Sequence, residues 1–248
     1  MQDLEIIILA GGKGKRMGGD KPKVLTEIKG RPMISYVLGE VNKFQSNSPI
    51  VVLGYKAEDV KKNITNESRT AIQTEQLGTG HAVSCALPFL NKVSKYVMVL
   101  YGDHPLVDAE TISKIYNIHK QQNKSPITLA TIKVSDFLDW RAPFYDFGRI
   151  IRGSNGEIES IVEKKDSNDD QLKITELNPS YFCFNKDWLI ANISKIQNNN
   201  SQKEFYLTDL VGLAQSQGYH LNSCEIDTHK ALGVNTPEQL ALVTQFIR

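Results

Sequence analysis

The sequence predicts an α/β fold built on a mainly parallel sheet, and two observations carry that prediction. Short apolar runs at 4–10, 49–55 and 95–103 are hydrophobic on both faces rather than alternating, as strands buried within a parallel sheet are. Longer stretches with apolar residues at helical spacing separate them, and this strand–helix alternation argues for parallel pairing.

The first strand is "LEIIILA" (4–10), followed by a helix in "RPMISYVLGEVNKF" (31–44) with Pro32 near its start. "PIVVLGY" (49–55) and "KYVMVLYGD" (95–103) are the next strands, and "TGHAVSCALPFL" (79–90) and "DAETISKIYNIHKQQ" (108–122) are helices. From residue 126 the character changes. "PITLATIKV" (126–134), "GRIIRGSNGEIESIVEK" (148–164) and "PSYFCFNKDWL" (179–189) suggest strands with hairpin-like turns, one of them at "SNG" (154–156). These strands extend the sheet and add antiparallel pairing on one side. "NISKIQNNNSQKEF" (192–205) is polar and Asn-rich and reads as a mobile loop. Helical pattern returns at 207–219, a strand at 220–226 and a terminal helix at 236–248. No internal repeat, coiled coil or linker interrupts the chain, which is expected to form one domain, 1–248, with two lobes.

At 248 residues such a chain can bury a sizeable core, and its 40% hydrophobic and 23% charged content is that of a globular protein. A net charge of +1 gives no general attraction to nucleic acid or to anionic membranes. Cys85, Cys183 and Cys224 are far apart and lack CxxC spacing, which argues against a disulfide framework or a zinc site. The N-terminus does not read as a signal peptide, and no apolar run approaches the ~20 residues of a membrane helix. A cytoplasmic location is expected.

Against this neutral background, "LAGGKGKRMGGDKPKVL" (9–25) is locally basic. Lys13, Lys15, Arg16, Lys21 and Lys23 are threaded through Gly11, Gly12, Gly14, Gly18 and Gly19, with Asp20 the one opposing charge. Glycines let a backbone fold closely around a ligand, and the cations specify an anionic one. The loop follows a buried strand, at the sheet edge where open α/β folds bind ligands. A P-loop would need Gly-Lys-Ser/Thr, which is absent, and the dinucleotide pattern fails at Met17. A loop wrapping a triphosphate remains, beside the plainer reading of a solvated turn. "LYGDHPL" (100–106) ends a strand in Asp103, either a turn residue or the single carboxylate that a magnesium site with substrate phosphates needs. Gly78-Thr79-Gly80 stands at a helix start, where amides can take a phosphate or a base edge, or Thr79 can act as a cap. His81 and His104 read as supporting rather than catalytic residues.

"LAGGKGKRM…KPKVL", "QTEQLGTGHAV", "LYGDHPL", "FGRI", "IVEKKD", "ELN", "FYLTDL" and "GVNTPEQL" follow one another along the chain. In this order they resemble bacterial N-acetylglucosamine-1-phosphate uridylyltransferases, specifically the pyrophosphorylase domain of the bifunctional enzyme, over essentially the whole length. The resemblance implies a Rossmann-like sheet flanked by helices, of the nucleotide-diphospho-sugar transferase type, with a smaller antiparallel sugar-binding lobe. The nucleotide-binding lobe would span about 1–125 and the sugar-binding lobe about 126–235, with the C-terminal helix returning. No hexapeptide repeat is present, so no β-helix acetyltransferase domain or activity is expected.

The same resemblance implies residue roles. Arg16 and Lys23 would hold the triphosphate and the sugar phosphate, Arg16, Lys23 and Asp103 would form the catalytic group, and Asp103 and Asn235 would bind Mg²⁺. Leu9, Ala10, Gly11, Gly12, Gly14, Gln73, Gly78 and Thr79 would surround the nucleotide, with Gln73 and Gly78 reading uracil. Tyr101, Gly148, Glu163, Asn178 and Thr208 would surround the sugar. The implied substrates are UTP and a sugar-1-phosphate, and a monomer or homodimer is expected, with no nucleic-acid or membrane partner. Alternatives are another sugar-1-phosphate such as glucose-1-phosphate, another nucleotide such as dTTP or CTP, or a non-catalytic nucleotide-sugar regulator. A regulator would be expected to lack Asp103, Asn235 or Lys23, and all three are present. The chain departs from the family pattern in three places: Lys15 stands where Thr is usual, Pro179-Ser180 replaces a Thr/Ser-Gly pair, and the segment before "FGRI" is bulky, with Trp140, Phe144 and Tyr145.

Overall fold

Ten strands form one sheet among the described residues. The structure is a computed structural model that describes residues 3–18, 20–44, 48–64, 68–122 and 124–247. Gly19 and the Lys15 side chain, both assigned above to the glycine loop, lie outside the described residues.

The first strand, β1 (Leu4–Leu9), is buried throughout. Leu4, Ile6 and Ile8 enter one hydrophobic core, while Ile7 and Leu9 enter the core on the opposite sheet face. This explains a run that is apolar without alternation. A small arm of β2 (Glu27–Ile28) and β3 (Arg31–Pro32) leads into α1 (Met33–Phe44), so Pro32 ends a strand just before the helix begins. α1 sets Met33, Ile34, Val37, Leu38 and Val41 against the first core. Truncating one such fully buried side chain to Ala typically costs about 2–5 kcal/mol.

β4 (Ile50–Leu53) pairs with β1 in parallel. Next come α2 (Ala57–Asn63) and β5 (Arg69–Ile72), which lies parallel to β4. The sequence reading missed both. α2 is short and buries Val60 alone, and β5 has half-buried polar residues at its start. What holds β5 is partly electrostatic: Arg69 pairs with Glu5, which is 1% exposed in the middle of the sheet. α3 (Thr79–Ala86), β6 (Tyr96–Tyr101) and α4 (Ala109–Gln121) follow where expected. β6 runs parallel to β1 from Leu4↔Tyr96 to Leu9↔Tyr101. Asp108 caps α4, its carboxylate accepting from the Thr111 N–H at 2.9 Å, a contact worth about 1 kcal/mol.

The second half opens with β7 (Ile127–Lys133) and the hairpin β8 (Gly148–Arg152) and β9 (Ile158–Val162), joined through the expected turn at Gly156. α5 (Asp169–Leu172), β10 (Glu176–Asn178), β11 (Phe182–Asn185) and α6 (Lys186–Asn192) follow. Asn185 starts α6 by accepting from the Trp188 N–H, so the helix takes over where one longer strand was expected. α7 (Asp209–Ser216), β12 (Asn222–Glu225) and α8 (Pro237–Phe246) complete the chain.

The strand order is β5-β4-β1-β6-β11-β7-β10-β8-β9, with β12 parallel to β7. Pairing is parallel from β5 to β6 and antiparallel from β6 through β11 to β9. The expected α/β fold is borne out, and its antiparallel part continues the same sheet. The 192–205 stretch, expected as a mobile loop, is irregular but fastened. Ile193 and Ile196 are buried, the Phe205 N–H donates to the Leu77 carbonyl, and the Phe205 carbonyl accepts from Gly80. Among the described residues no helix is long and apolar enough to cross a membrane.

Candidate functional site

A cleft of about 430 Å³ lies beyond the carboxyl ends of β1 and β6, above the seam between the parallel and antiparallel halves. Leu9, Ala10, Gly11 and Gly12 line it from the end of β1, and Tyr101 and Asp103 from the end of β6. Lys23, Gln73, Gly78, Thr79, Glu163, Thr208 and Asn235 also reach it. Arg16, Gly14, Gly148 and Asn178 stand behind or beside these residues rather than in the lining.

The glycine loop is shaped by its neighbours. Gly14 has φ +65°, and a Cβ there would press on the Lys23 Cβ at 2.6 Å, so only glycine lets the loop fold onto the lysine stem. Lys23 then projects from a 3₁₀ turn whose Val24 and Leu25 are buried. Asp20, the loop's one opposing charge, accepts from the Tyr55 hydroxyl and from Lys56, each at 2.5 Å. Arg16 reaches across to Asp146 at 3.3 Å, and Lys164 holds the other Asp146 oxygen at 2.6 Å.

Asp103 and Asn235 converge on one point. The Val234 N–H donates to the Asp103 carbonyl at 2.9 Å, which brings Asn235 beside the Asp103 carboxylate. The Lys23 ammonium occupies their shared point, paired with Asp103 and donating to Asn235 Oδ1 at 2.8 Å. Burial pushes the Asp103 carboxyl up, but the Lys23 ammonium outweighs it and holds the carboxyl below its ordinary value. The donors are two hard oxygens, one from a carboxylate and one from an amide, and a cationic group already bridges them. That set fits magnesium, which takes one or two protein carboxylates and completes its shell with substrate phosphate and water. Among the described residues no cluster of three His, Cys, Asp or Glu offers another metal site, and the three cysteines are free thiols.

His104 lies behind Asp103, 3.9 Å from its carboxylate. The Tyr181 hydroxyl donates to the Lys230 carbonyl at 2.9 Å, so it accepts from His104 Nδ1 at 3.0 Å. Burial lowers the pKa of this ring and keeps it neutral at pH 7. It supports the Asp103 turn, as expected.

Gln73 and the start of α3 form one end of the cleft. Gly78 has φ +110°, and a Cβ there would lie 2.6 Å from the Phe205 carbonyl oxygen, so a side chain is excluded twice over. Thr79 Oγ1 accepts from the Leu207 N–H at 2.9 Å. The fastened loop thereby brings Gln202, Glu204 and Tyr206 to the cleft, and the sequence reading missed all three. Their stretch has no periodicity, and it is held by partners distant in sequence: Leu77, Thr79 and Gly80 more than 100 residues back, and Lys165 and Asp166.

The opposite end is built on the antiparallel half. Thr208 Oγ1 donates to Glu163 Oε1 at 3.1 Å, and burial raises the Glu163 pKa. Gly148 opens β8 against Glu163. Asn178 is 2% exposed and acts through its neighbour, its Oδ1 accepting from the Ser180 N–H at 2.9 Å. Ser180 lines the cleft with φ +66°, a conformation that costs a residue with a side chain about 1–2 kcal/mol. Asp146 was missed as well. It comes from the bulky 135–147 segment, where nothing in the sequence distinguishes it from a surface carboxylate.

The arrangement is that of an α/β protein of the nucleotidyltransferase fold. A 4-diphosphocytidyl-2C-methyl-D-erythritol synthase from Anaerococcus prevotii shares it, with a TM-score of 0.67 and 15% identity over 99% of this chain and 98% of that one. So does a CMP:2-keto-3-deoxy-manno-octonic acid synthetase complexed with CTP, with a TM-score of 0.70 and 17% identity over 98% of both chains. Residues 6–145 match the MobA-like NTP transferase domain, and the chain belongs to that family. It is also similar to the bifunctional protein GlmU of Acetivibrio thermocellus, at 37% identity over 250 residues, covering 100% of this chain and 52% of that protein. The GlmU of Caldicellulosiruptor saccharolyticus is 38% identical over 245 residues, 98% of this chain and 51% of that protein. The chain spans about half the length of these curated relatives. The motif resemblance to one half of a bifunctional enzyme is borne out.

Proposed function

We propose that the protein condenses UTP with a sugar-1-phosphate, N-acetylglucosamine-1-phosphate, to give the UDP-sugar and pyrophosphate. The observation that carries this reading is a single cleft with a glycine-walled side and a hydroxyl- and carboxylate-rich side, joined at Lys23, Asp103 and Asn235. On this reading Leu9, Ala10, Gly11, Gly12, Gln73, Gly78 and Thr79 enclose the nucleoside, and Gly14 lets the loop close on it. Tyr101, Glu163 and Thr208 face the sugar, with Gly148 and Asn178 shaping that end.

The chemistry needs little acid or base help. A sugar-1-phosphate is already anionic at pH 7, so its oxygen attacks the α-phosphorus of UTP without losing a proton first. The new bond joins that oxygen to the α-phosphorus, the bond to the bridging oxygen breaks, and pyrophosphate leaves with the electron pair. The barrier is repulsion between two anions and charge build-up on the leaving group. Lys23 and Arg16 oppose both, and the cleft holds the reactants in line. Mg²⁺ held by Asp103 and Asn235 would supply further charge neutralisation at the phosphates. Neutral His104 is not needed as a base.

The test is pyrophosphate release with Mg²⁺ across UTP, dTTP, CTP, ATP and GTP against N-acetylglucosamine-, N-acetylgalactosamine-, glucose- and glucosamine-1-phosphate. A maximum at UTP with N-acetylglucosamine-1-phosphate is expected. A maximum elsewhere reassigns the sugar or base, and silence with UTP binding retained overturns the transfer reaction.

A further inference from the structure

Gln73 is 5% exposed, and its side-chain amide has one possible orientation. Its Nε2 donates to the Gly78 carbonyl at 3.0 Å. A carbonyl only accepts, so the amide nitrogen must face it. The second hydrogen on the same nitrogen points to His81 Nδ1, 3.2 Å away. His81 Nδ1 is therefore the accepting nitrogen, and the ring proton sits on Nε2, which faces Cys85 Sγ at 3.8 Å. With both amide hydrogens engaged, Gln73 Oε1 is left at the cleft wall. No donor among the described residues reaches it, and a Cβ on Gly11 would lie 3.0 Å from it.

We infer that His81 is a positioning residue for base selection: it locks Gln73 so that the pocket offers an acceptor to a ring N–H of the base. The inference rests on the nucleotide-binding reading of this cleft. Uracil carries N–H at N3, between two carbonyls, whereas cytosine carries a lone pair there. An acceptor fixed in place attracts the first and repels the second. An amide able to turn over would serve both, because its nitrogen would donate to cytosine N3. Turning it over against Gly78 and His81 together loses two hydrogen bonds, and against Gly78 alone it loses one. Discrimination therefore depends on the histidine as well as on the glutamine.

The experiment is equilibrium binding of UTP and of CTP, with Mg²⁺, to the wild-type chain, His81→Leu and His81→Asn, with thermal unfolding alongside. Leu and Asn have nearly the same shape, and only Asn puts an accepting oxygen where Nδ1 stands. Wild type is expected to prefer UTP. His81→Leu should lower the UTP/CTP affinity ratio by about tenfold, chiefly through weaker UTP binding, while His81→Asn stays within about threefold of wild type. His81→Phe, a ring of similar outline without the acceptor, replaces the Leu variant should that fail to fold. The inference is overturned if the ratio is unchanged without an acceptor, if Asn is as poor as Leu, or if wild type binds both nucleotides alike. Preferential UTP binding without turnover of any sugar phosphate would sink the transfer reaction and leave this inference standing.

Discussion

The Lys23 ammonium donates to Asn235 Oδ1 at 2.8 Å across 212 positions of sequence, while its other partner, Asp103, lies at the end of β6. One cation thus ties the glycine loop to two distant oxygens on the cleft floor. The Asp103 and Lys23 side chains are only 10% and 14% exposed, so the pair is poorly screened. Asp103→Asn keeps an accepting oxygen for Lys23 but removes the charge. Turnover should fall by about a hundred- to a thousandfold, with the thermal midpoint shifted by only about 3 °C. Pyrophosphate release beside a melting curve decides it, and persistent activity would refute the role given to the carboxylate.

Asp146 holds Arg16 and Lys164 at the mouth of the cleft, and its side chain is 41% exposed. An exposed pair of this kind is worth under about 1 kcal/mol, so Asp146→Ala should leave stability almost unchanged. On the proposed reading it also removes a negative charge from the path of the anionic nucleotide and frees Arg16. The KM for UTP should drop by about threefold, within the range that such a pair represents. A rise in KM would show that Asp146 instead holds Arg16 in its working position.

Ser180→Gly tests the end of the cleft proposed to take the sugar. Glycine relieves the positive φ at 180 but loses the 3.3 Å contact that Asn178 Nδ2 makes to Ser180 Oγ. The two effects oppose each other, leaving stability within about 1 kcal/mol of wild type. Relative kcat/KM among sugar-1-phosphates should change, because the side chain lines the cleft, and the KM for UTP should not. Equal shifts in both would place Ser180 outside acceptor choice.

A pH effect on stability should come from His119, far from the cleft. The ring is 1% exposed, with Nδ1 2.9 Å from Thr128 Oγ1, and burial lowers its pKa from 6.5 to about 4. The fold accepts the neutral ring, so this contribution is complete above pH 6.5 and is lost as the pH falls towards 4. The loss is about 3 kcal/mol at most. Urea midpoints at pH 7 and pH 4.5 should converge less in wild type than in His119→Gln, whose side chain does not titrate.

Much of this was legible in the amino-acid pattern because the deciding forces are local or simply hydrophobic. β1, β4 and β6 read as buried strands since both their faces meet a core, and the apolar residues at helical spacing in 108–122 announce α4. The cleft residues Lys23, Asp103, Gln73 and Thr208 sit in motifs long enough to be recognised. What escaped depends on distant partners. β5 is held in part by Arg69 reaching the buried Glu5. Glu204 and Tyr206 reach the cleft because Phe205 bonds to Leu77 and Gly80. Asp146 differs from any surface carboxylate only through Arg16 and Lys164. Neither propensity nor spacing encodes such meetings.

Within the sheet, β6 and β11 form the single junction between the two halves among the described residues. On the proposed reading, substitutions at the β10–β11 turn therefore act on acceptor choice while leaving Lys23 and Asp103 on the β6 side untouched. A protein arranged in this way can acquire a new product through a few changes at that turn, provided that Asn235, which follows β12 in the second half, is kept. The same division gives an engineer a natural cut for exchanging acceptor halves between relatives.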